Sequence, residues 1–275
     1  NESRIWDNIA YNAPYYLMIV AAGNEGNDNS VNQDPLNGES AFDKLTGFST
    51  SKNNLVIANG NDAIINTEGT LASVTVSSGS SEGPTDDLRV KPDLMGNGTG
   101  LYSTYDTSDS AYNSSTGTSM ASPNVAGSLL LLQQYYKETH GNFMRSATLK
   151  GLALHTADDV AILGPDAASG WGLMNTKKAA ETVTKKDFQS IISEIELVEG
   201  GTYTLVVKSD GLTPLLASIS WTDLPGVANT GVVNDPTPVL MNDLDIKVTN
   251  SSGDTTATFL PWKLTSVNTN EKGDN

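Results

Sequence analysis

A serine hydroxyl placed where a glycine-bearing loop runs into a buried helix can act as a nucleophile. The segment Gly117-Thr118-Ser119-Met120-Ala121-Ser122-Pro123-Asn124-Val125-Ala126-Gly127 offers such a group at Ser119. The first N–H groups of a helix lack intrahelical partners and carry partial positive charge, so an oxyanion forming beside Ser119 would be stabilised there. The small residues around it leave room for a substrate to approach. Pro123 suits the first turn of the expected helix, where its missing N–H costs little, and Ala126 and Gly127 allow close packing. The chemistry this permits is nucleophilic attack through a covalent intermediate. It requires a base and an orienting carboxylate as well, because a serine alkoxide does not form unaided near neutral pH.

Such a hydroxyl must be held by a rigid frame, and the surrounding pattern describes one. Residues 119–136 turn from small to strongly apolar through Val125, Ala126 and the leucines at 129–132, the signature of a central helix buried on most sides. Residues 15–22 form a continuous apolar run ending at Gly23, expected to be a strand buried on both faces of a parallel sheet. A second strand fits 54–58. Between them, residues 26–47 are rich in Asn, Asp, Ser and Gly and read as a long surface loop of the kind that shapes binding sites. A further strand is expected over 71–76, turns at 84–87 and 91–93, and a glycine-rich stretch at 96–100. Helices are expected over 2–11, with Ile5, Ile9 and Trp6 facing inward, and over 145–156 and 176–183. Gly170-Trp171-Gly172 marks a tight connection between the last two.

This is the rhythm of an α/β domain with a mostly parallel sheet flanked by helices. Beyond residue 184 the texture changes. Alternating segments at 191–198, 202–207, 216–221 and 244–249, separated by Gly- or Asp-rich turns, describe an all-β sandwich or jelly-roll domain that runs into a polar tail. The expected division is therefore 1–184 and 185–275. The first part reads as incomplete at its N-terminus, and the second, with fewer strands than such folds use, as cut short.

Composition narrows the function. A formal net charge of -16 over 275 residues repels phosphate backbones and anionic lipid surfaces, which excludes nucleic acid as an expected partner. Charged residues make up only 17%, so Ser, Thr, Asn and Gly must cover much of the surface, as suits a loop-rich secreted or extracellular protein. There is no cysteine, hence no disulfide, thiol nucleophile or cysteine metal site. The longest apolar run, 15–22, is far short of the roughly 20 residues that a membrane-spanning helix needs.

The segment from Gly117 to Gly127 resembles the nucleophile motif of the subtilisin-like serine peptidases, the subtilases, and Val20-Ala21-Ala22-Gly23-Asn24-Glu25-Gly26 resembles that family's oxyanion-hole motif. The likeness extends over nearly the whole chain. Trp221-Thr222-Asp223 and Asn242-Asp243-Leu244-Asp245 look like parts of the jelly-roll that follows the peptidase domain in some bacterial members. It implies a serine endopeptidase acting on peptide or protein substrates. In it Ser119 attacks the peptide carbonyl, while the Asn24 side-chain amide and the Ser119 N–H hold the negative oxygen. It also implies that Ala22, Gly23 and Glu25 line one wall of the pocket for the side chain preceding the scissile bond, that Glu25 favours basic residues there, and that Thr118 is a further substrate-binding residue. No cofactor is required by this chemistry. Calcium is an optional expectation, resting on Asp243 and Asp245 sharing one face of a strand.

The sequence departs from the family in one large respect. Subtilases carry their aspartate and histidine before the serine, and here both motifs would precede residue 1. The two histidines present, His140 after the central helix and His155 on an apolar helix, resemble neither. The chain by itself is expected to be inactive and to need the upstream part of the same catalytic domain. Milder departures are Glu82-Gly83-Pro84, where many members carry a basic residue before Gly-Pro, and Gly96-Asn97-Gly98 in place of Ala-Pro-Gly. The alternative to a peptidase is a non-catalytic subtilase-like binding or adhesion protein. An unrelated α/β hydrolase expects Gly-x-Ser-x-Gly, which residues 117–121 do not form.

Overall fold

The structure is a computed structural model and describes residues 2–229, 231–252 and 255–273. Its elements in chain order are α1 (Glu2–Asn12), β1 (Ile19–Ala21), β2 (Leu55–Gly60), β3 (Ile64–Ile65), β4 (Leu71–Ser73), β5 (Leu94–Asn97), β6 (Leu101–Thr104) and β7 (Tyr112–Ser115). These are followed by α2 (Thr118–His140), α3 (Ser146–His155), α4 (Thr176–Thr184), β8 (Val248–Ser252), β9 (Thr255–Phe259), β10 (Trp262–Ser266) and β11 (Thr269–Lys272).

Strands β1, β2 and β5 form a parallel sheet in that order, with Val20 opposite Val56 and Ala58 opposite Met95. Parallel neighbours need covered faces, and α2 packs against all three strands. Leu55, Ile57 and Leu94 meet Val125, Leu129 and Leu132 of α2, with Leu149 and Leu152 of α3 and Val183 of α4 closing the same core. Every residue of β2 is buried, as expected of the central strand. The run at 15–22 was expected to be buried on both faces. Only its last part pairs, and β1, which has β2 as its one neighbour among the described residues, is half-buried.

Two further differences come from tertiary contacts. The inward face of α1 is not Ile5 and Ile9, which are 58% and 39% exposed, but Asp7 and Ala10. Asp7 is drawn in because its carboxylate accepts from the Ser51 hydroxyl and the Asn53 N–H. The third sheet strand, β5, lies in a stretch read as a turn followed by a glycine-rich loop. Its strand character is set by pairing with β2 rather than by its own residues.

At the N-terminal end of β2 and β5 lies a buried charge cluster. Asp93 accepts from the Val56 N–H and from Lys91, and pairs with Lys150. Burial pushes the Lys91 ammonium down to about 7 despite Asp93 beside it. A second buried pair, Lys52 with Asp223, ties the C-terminal part to this end of the sheet. The Asp223 carboxylate also accepts from the N–H groups of Met241 and Asn242.

The C-terminal part carries two antiparallel hairpins, β8 with β9 and β10 with β11, which are compatible with a β domain. Of the four strands expected there, those at 191–198, 202–207 and 216–221 carry no ladder, and the one at 244–249 begins only at Val248. Asp243 and Asp245 therefore lie outside any strand rather than on one strand face. The hairpin β10–β11 falls instead in the stretch read as a polar tail, where Leu264 and Val267 are buried.

Candidate active site

Strand β1 ends at Ala21, and the Ala22 N–H extends its ladder to the Ile57 carbonyl at 3.0 Å before the chain turns away. The turn is built so that its backbone lies against residues 77–83. Ser81 N–H donates to the Gly23 carbonyl at 2.9 Å, the Glu25 N–H donates to Ser81 Oγ at 2.9 Å, and the Gly26 N–H donates to the Gly79 carbonyl at 3.2 Å. This close approach requires glycine. A Cβ on Gly23, whose φ is +120°, would sit 2.7 Å from Ser81 Oγ, and one on Gly26 would sit 2.4 Å from the Ser80 carbonyl oxygen.

Asn24 emerges from this turn toward the start of α2. Its Oδ1 accepts from the Thr118 N–H at 2.9 Å and from Thr118 Oγ1 at 3.1 Å. Thr118 Oγ1 in turn accepts from the Gly23 N–H at 3.2 Å. A backbone N–H can only donate, so the side-chain atom facing it must be the amide oxygen, and the amide nitrogen must face the other way. Among the described residues, Asn24 Nδ2 has no acceptor. The N–H of Ser119 has none either, whereas those of Met120 and Ala121 both turn back to the Gly117 carbonyl. The structure thus brings Asn24 and the Ser119 turn together, 95 positions apart in the chain, with both residues exposed and two donors unused. No acidic residue occupies the first turn of α2 to compete for its positive end.

The other expected site residues divide. Gly23 is half-buried and Glu25 exposed beside Asn24. Ala22 is only 3% exposed and packs on Leu45 and Val56. Thr118, expected among the substrate-binding residues, is fully buried, and its hydroxyl is occupied by Asn24 and Gly23. It holds the site from beneath and presents nothing to solvent. Pro123 is the sixth residue of α2 rather than part of its first turn, so its missing N–H leaves the Ser119 carbonyl without an i+4 donor. Ser81, whose two hydrogen bonds set the turn, was not singled out from the sequence. The only hint was the run of small residues at 77–81.

Neither histidine hydrogen-bonds Ser119. His140 ends α2, 21 residues further on, about 30 Å away along the helix axis. There its Nε2 meets the Val183 carbonyl and its ring packs on Tyr136. His155 bonds Ser218 through Nδ1, and burial, with Lys178 adding repulsion, lowers its pKa. A cavity of about 490 Å³ lined by Asn61, Asp62, Asn97 and Asn124 includes neither Ser119 nor Asn24. No three His, Asp or Glu side chains gather to hold a metal among the described residues. Among them, too, no helix is long and apolar enough to cross a membrane.

A parallel sheet whose first strand ends beside the start of the central helix, so that a carboxamide meets a serine turn, defines this chain as an α/β protein. The subtilase family model, Peptidase S8, matches residues 3–172, and the chain belongs to that family. Relatives include the PI-type and PII-type proteinases of Lactococcus lactis subsp. cremoris and the PIII-type proteinase of its strain SK11. Each is 32% identical over 123 residues, covering 38% of this chain. The match spans only 6% of each relative's own length. Among solved structures, the self-cleaved protease domain of PatA (17% identity) and a lanthipeptide protease (18%) each superpose with a TM-score of 0.48. In both cases 66% of this chain and 54% of the other are covered.

Proposed function

We propose that this chain supplies the nucleophile and the oxyanion site of a secreted serine endopeptidase, its histidine base and orienting carboxylate coming from polypeptide outside residues 1–275. Ser119 Oγ attacks the carbonyl carbon of a peptide bond and gives its proton to that base. The carbonyl oxygen, now negative, takes hydrogen bonds from Asn24 Nδ2 and the Ser119 N–H. Collapse of the tetrahedral intermediate breaks the C–N bond, the base protonates the leaving amine, and water then hydrolyses the ester on Ser119. The set requires no cofactor. Residues 1–184 form the peptidase part in this reading and 185–275 an appended β domain. Glu25, exposed beside Asn24, gives the pocket wall a preference for basic side chains.

The observation that supports the reading is the capture of Asn24 Oδ1 by Thr118, which leaves the amide donor unused next to the serine turn. The test is labelling of the complete polypeptide with a fluorophosphonate, alongside Ser119→Ala. Labelling is expected in the parent and absent in the variant. Labelling that persists in Ser119→Ala places the nucleophile elsewhere, and an unlabelled parent favours a binding or adhesion protein.

A further inference from the structure

The turn that presents Asn24 is held from behind by a buried cation. The Lys44 side chain is 1% exposed, and its Nζ donates to the Gly26 carbonyl at 2.6 Å and to Asn29 Oδ1 at 3.0 Å. Glu82 Oε2 lies 3.3 Å from the same ammonium. That oxygen is buried and has no aligned hydrogen bond, so the pair acts by charge. The backbones repeat the connection, since the Lys44 N–H donates to the Glu82 carbonyl and the Asp43 N–H to the Gly83 carbonyl, both at 2.8 Å. Residues 43–44, 79–83 and 23–26 thus form one block, joined at the carbonyl two residues beyond Asn24.

We infer that Lys44, neutralised by Glu82, is a positioning residue for the Asn24 amide: by fixing the Gly26 carbonyl it sets the direction in which Nδ2 points. The inference rests on the proposed role of Asn24 as an oxyanion donor. Thr118 fixes the oxygen end of the amide and Ser81 holds the backbone at Gly23 and Glu25, and Lys44 adds the anchor at the Gly26 carbonyl, which no other side chain among the described residues hydrogen-bonds. Stability alone is a poor reason for this arrangement, because buried ion pairs commonly gain nothing over an apolar pair of similar volume. Burial in fact raises the Glu82 carboxyl above its ordinary value, against the pull of Lys44. Alignment is a better reason, since a displacement of about 1 Å at a catalytic group can cost on the order of a hundredfold in rate.

The experiment compares Lys44→Met, Asn24→Ala and the double variant in the complete peptidase, with active sites counted by fluorophosphonate titration. Lys44→Met is expected to lower kcat per titrated site about tenfold with KM within about twofold. In the Asn24→Ala background it is expected to have no further effect. Unchanged kcat per titrated site in Lys44→Met, or losses that multiply in the double variant, overturns the inference while leaving the role of Asn24 intact. An Asn24→Ala enzyme with parental kcat overturns the oxyanion reading itself, and the inference with it. If Lys44→Met does not fold, Glu82→Gln keeps the volume and the Gly26 bond while removing the counter-charge. It is then expected to lower kcat about threefold, again with no additional effect when Asn24 is already Ala, and a parental kcat in Glu82→Gln counts against the inference.

Discussion

Replacing Asn24 with Asp separates the two ends of the carboxamide. Both groups facing Oδ1, the Thr118 N–H at 2.9 Å and the Thr118 hydroxyl at 3.1 Å, are donors, so a carboxylate oxygen serves them equally well. The added negative charge lies at the start of α2, where it stabilises by about 0.3–1 kcal/mol, or roughly 1–3 °C in Tm for a chain of this size. The opposite end behaves in the reverse sense. A donor becomes an acceptor, and loss of one oxyanion donor in a subtilisin costs about a hundred- to a thousandfold in turnover, a figure carried over from the family. Repulsion between the carboxylate and an oxyanion about 4 Å away adds about 1 kcal/mol in water and about 4 kcal/mol at an effective dielectric of 20. The combined expectation is a fall in kcat of at least about 500-fold with an unchanged or slightly raised Tm. Calorimetry and turnover of a chromogenic peptide amide by the complete enzyme measure the two effects. An Asn24→Asp enzyme within about tenfold of the parent would refute the donor role. Destabilisation by more than about 1 kcal/mol would refute the Thr118 cap.

Thr118→Val keeps the shape of the buried side chain but removes the hydroxyl shared by Asn24 and Gly23. It is expected to cost about 2 kcal/mol in urea unfolding and to lower kcat with little change in KM; a variant as stable and as active as the parent contradicts the positioning role. Asp223→Ala leaves Lys52 buried without its carboxylate and is expected to cost about 3–5 kcal/mol. Lys52→Met combined with Asp223→Leu should recover part of that loss, and no recovery would show that packing rather than charge is at stake. Burial by itself would raise Asp223, but hydrogen bonds from Lys52, Met241 and Asn242 outweigh it and hold its carboxyl below the ordinary value of 3.8. A depressed folded value means that its stabilisation is complete above 3.8 and drains away as pH falls through the lower folded value. The stability gap between the parent and Asp223→Asn should therefore narrow as pH falls below 3.8, and a gap constant down to pH 2 would argue against the ion pair.

Much of the frame was legible from local pattern. Helices α2, α3 and α4 and the buried strand β2 follow from apolar periodicity, which is a property of neighbouring residues. The motifs containing Ser119 and Asn24 are contiguous and could be read directly. Strand β5 was missed because its residues acquire extended pairing from β2, and the inward face of α1 was missed because Asp7 is recruited by donors on residues 51 and 53. The apolar alternation at 191–221 suggested strands, but a ladder needs partners, and the structure pairs different segments.

The sequence alone determined that a serine sits at the mouth of a buried helix, that an asparagine follows an apolar strand, and that no local histidine resembles a base. Only the tertiary structure decided which end of the Asn24 amide is free, that Thr118 lies beneath the site, and that Lys44 and Glu82 brace the turn. The reason is physical: helix and strand propensities act over a few residues, whereas hydrogen-bond donors and buried charges find partners across the whole chain, and those partners exist only once it has folded.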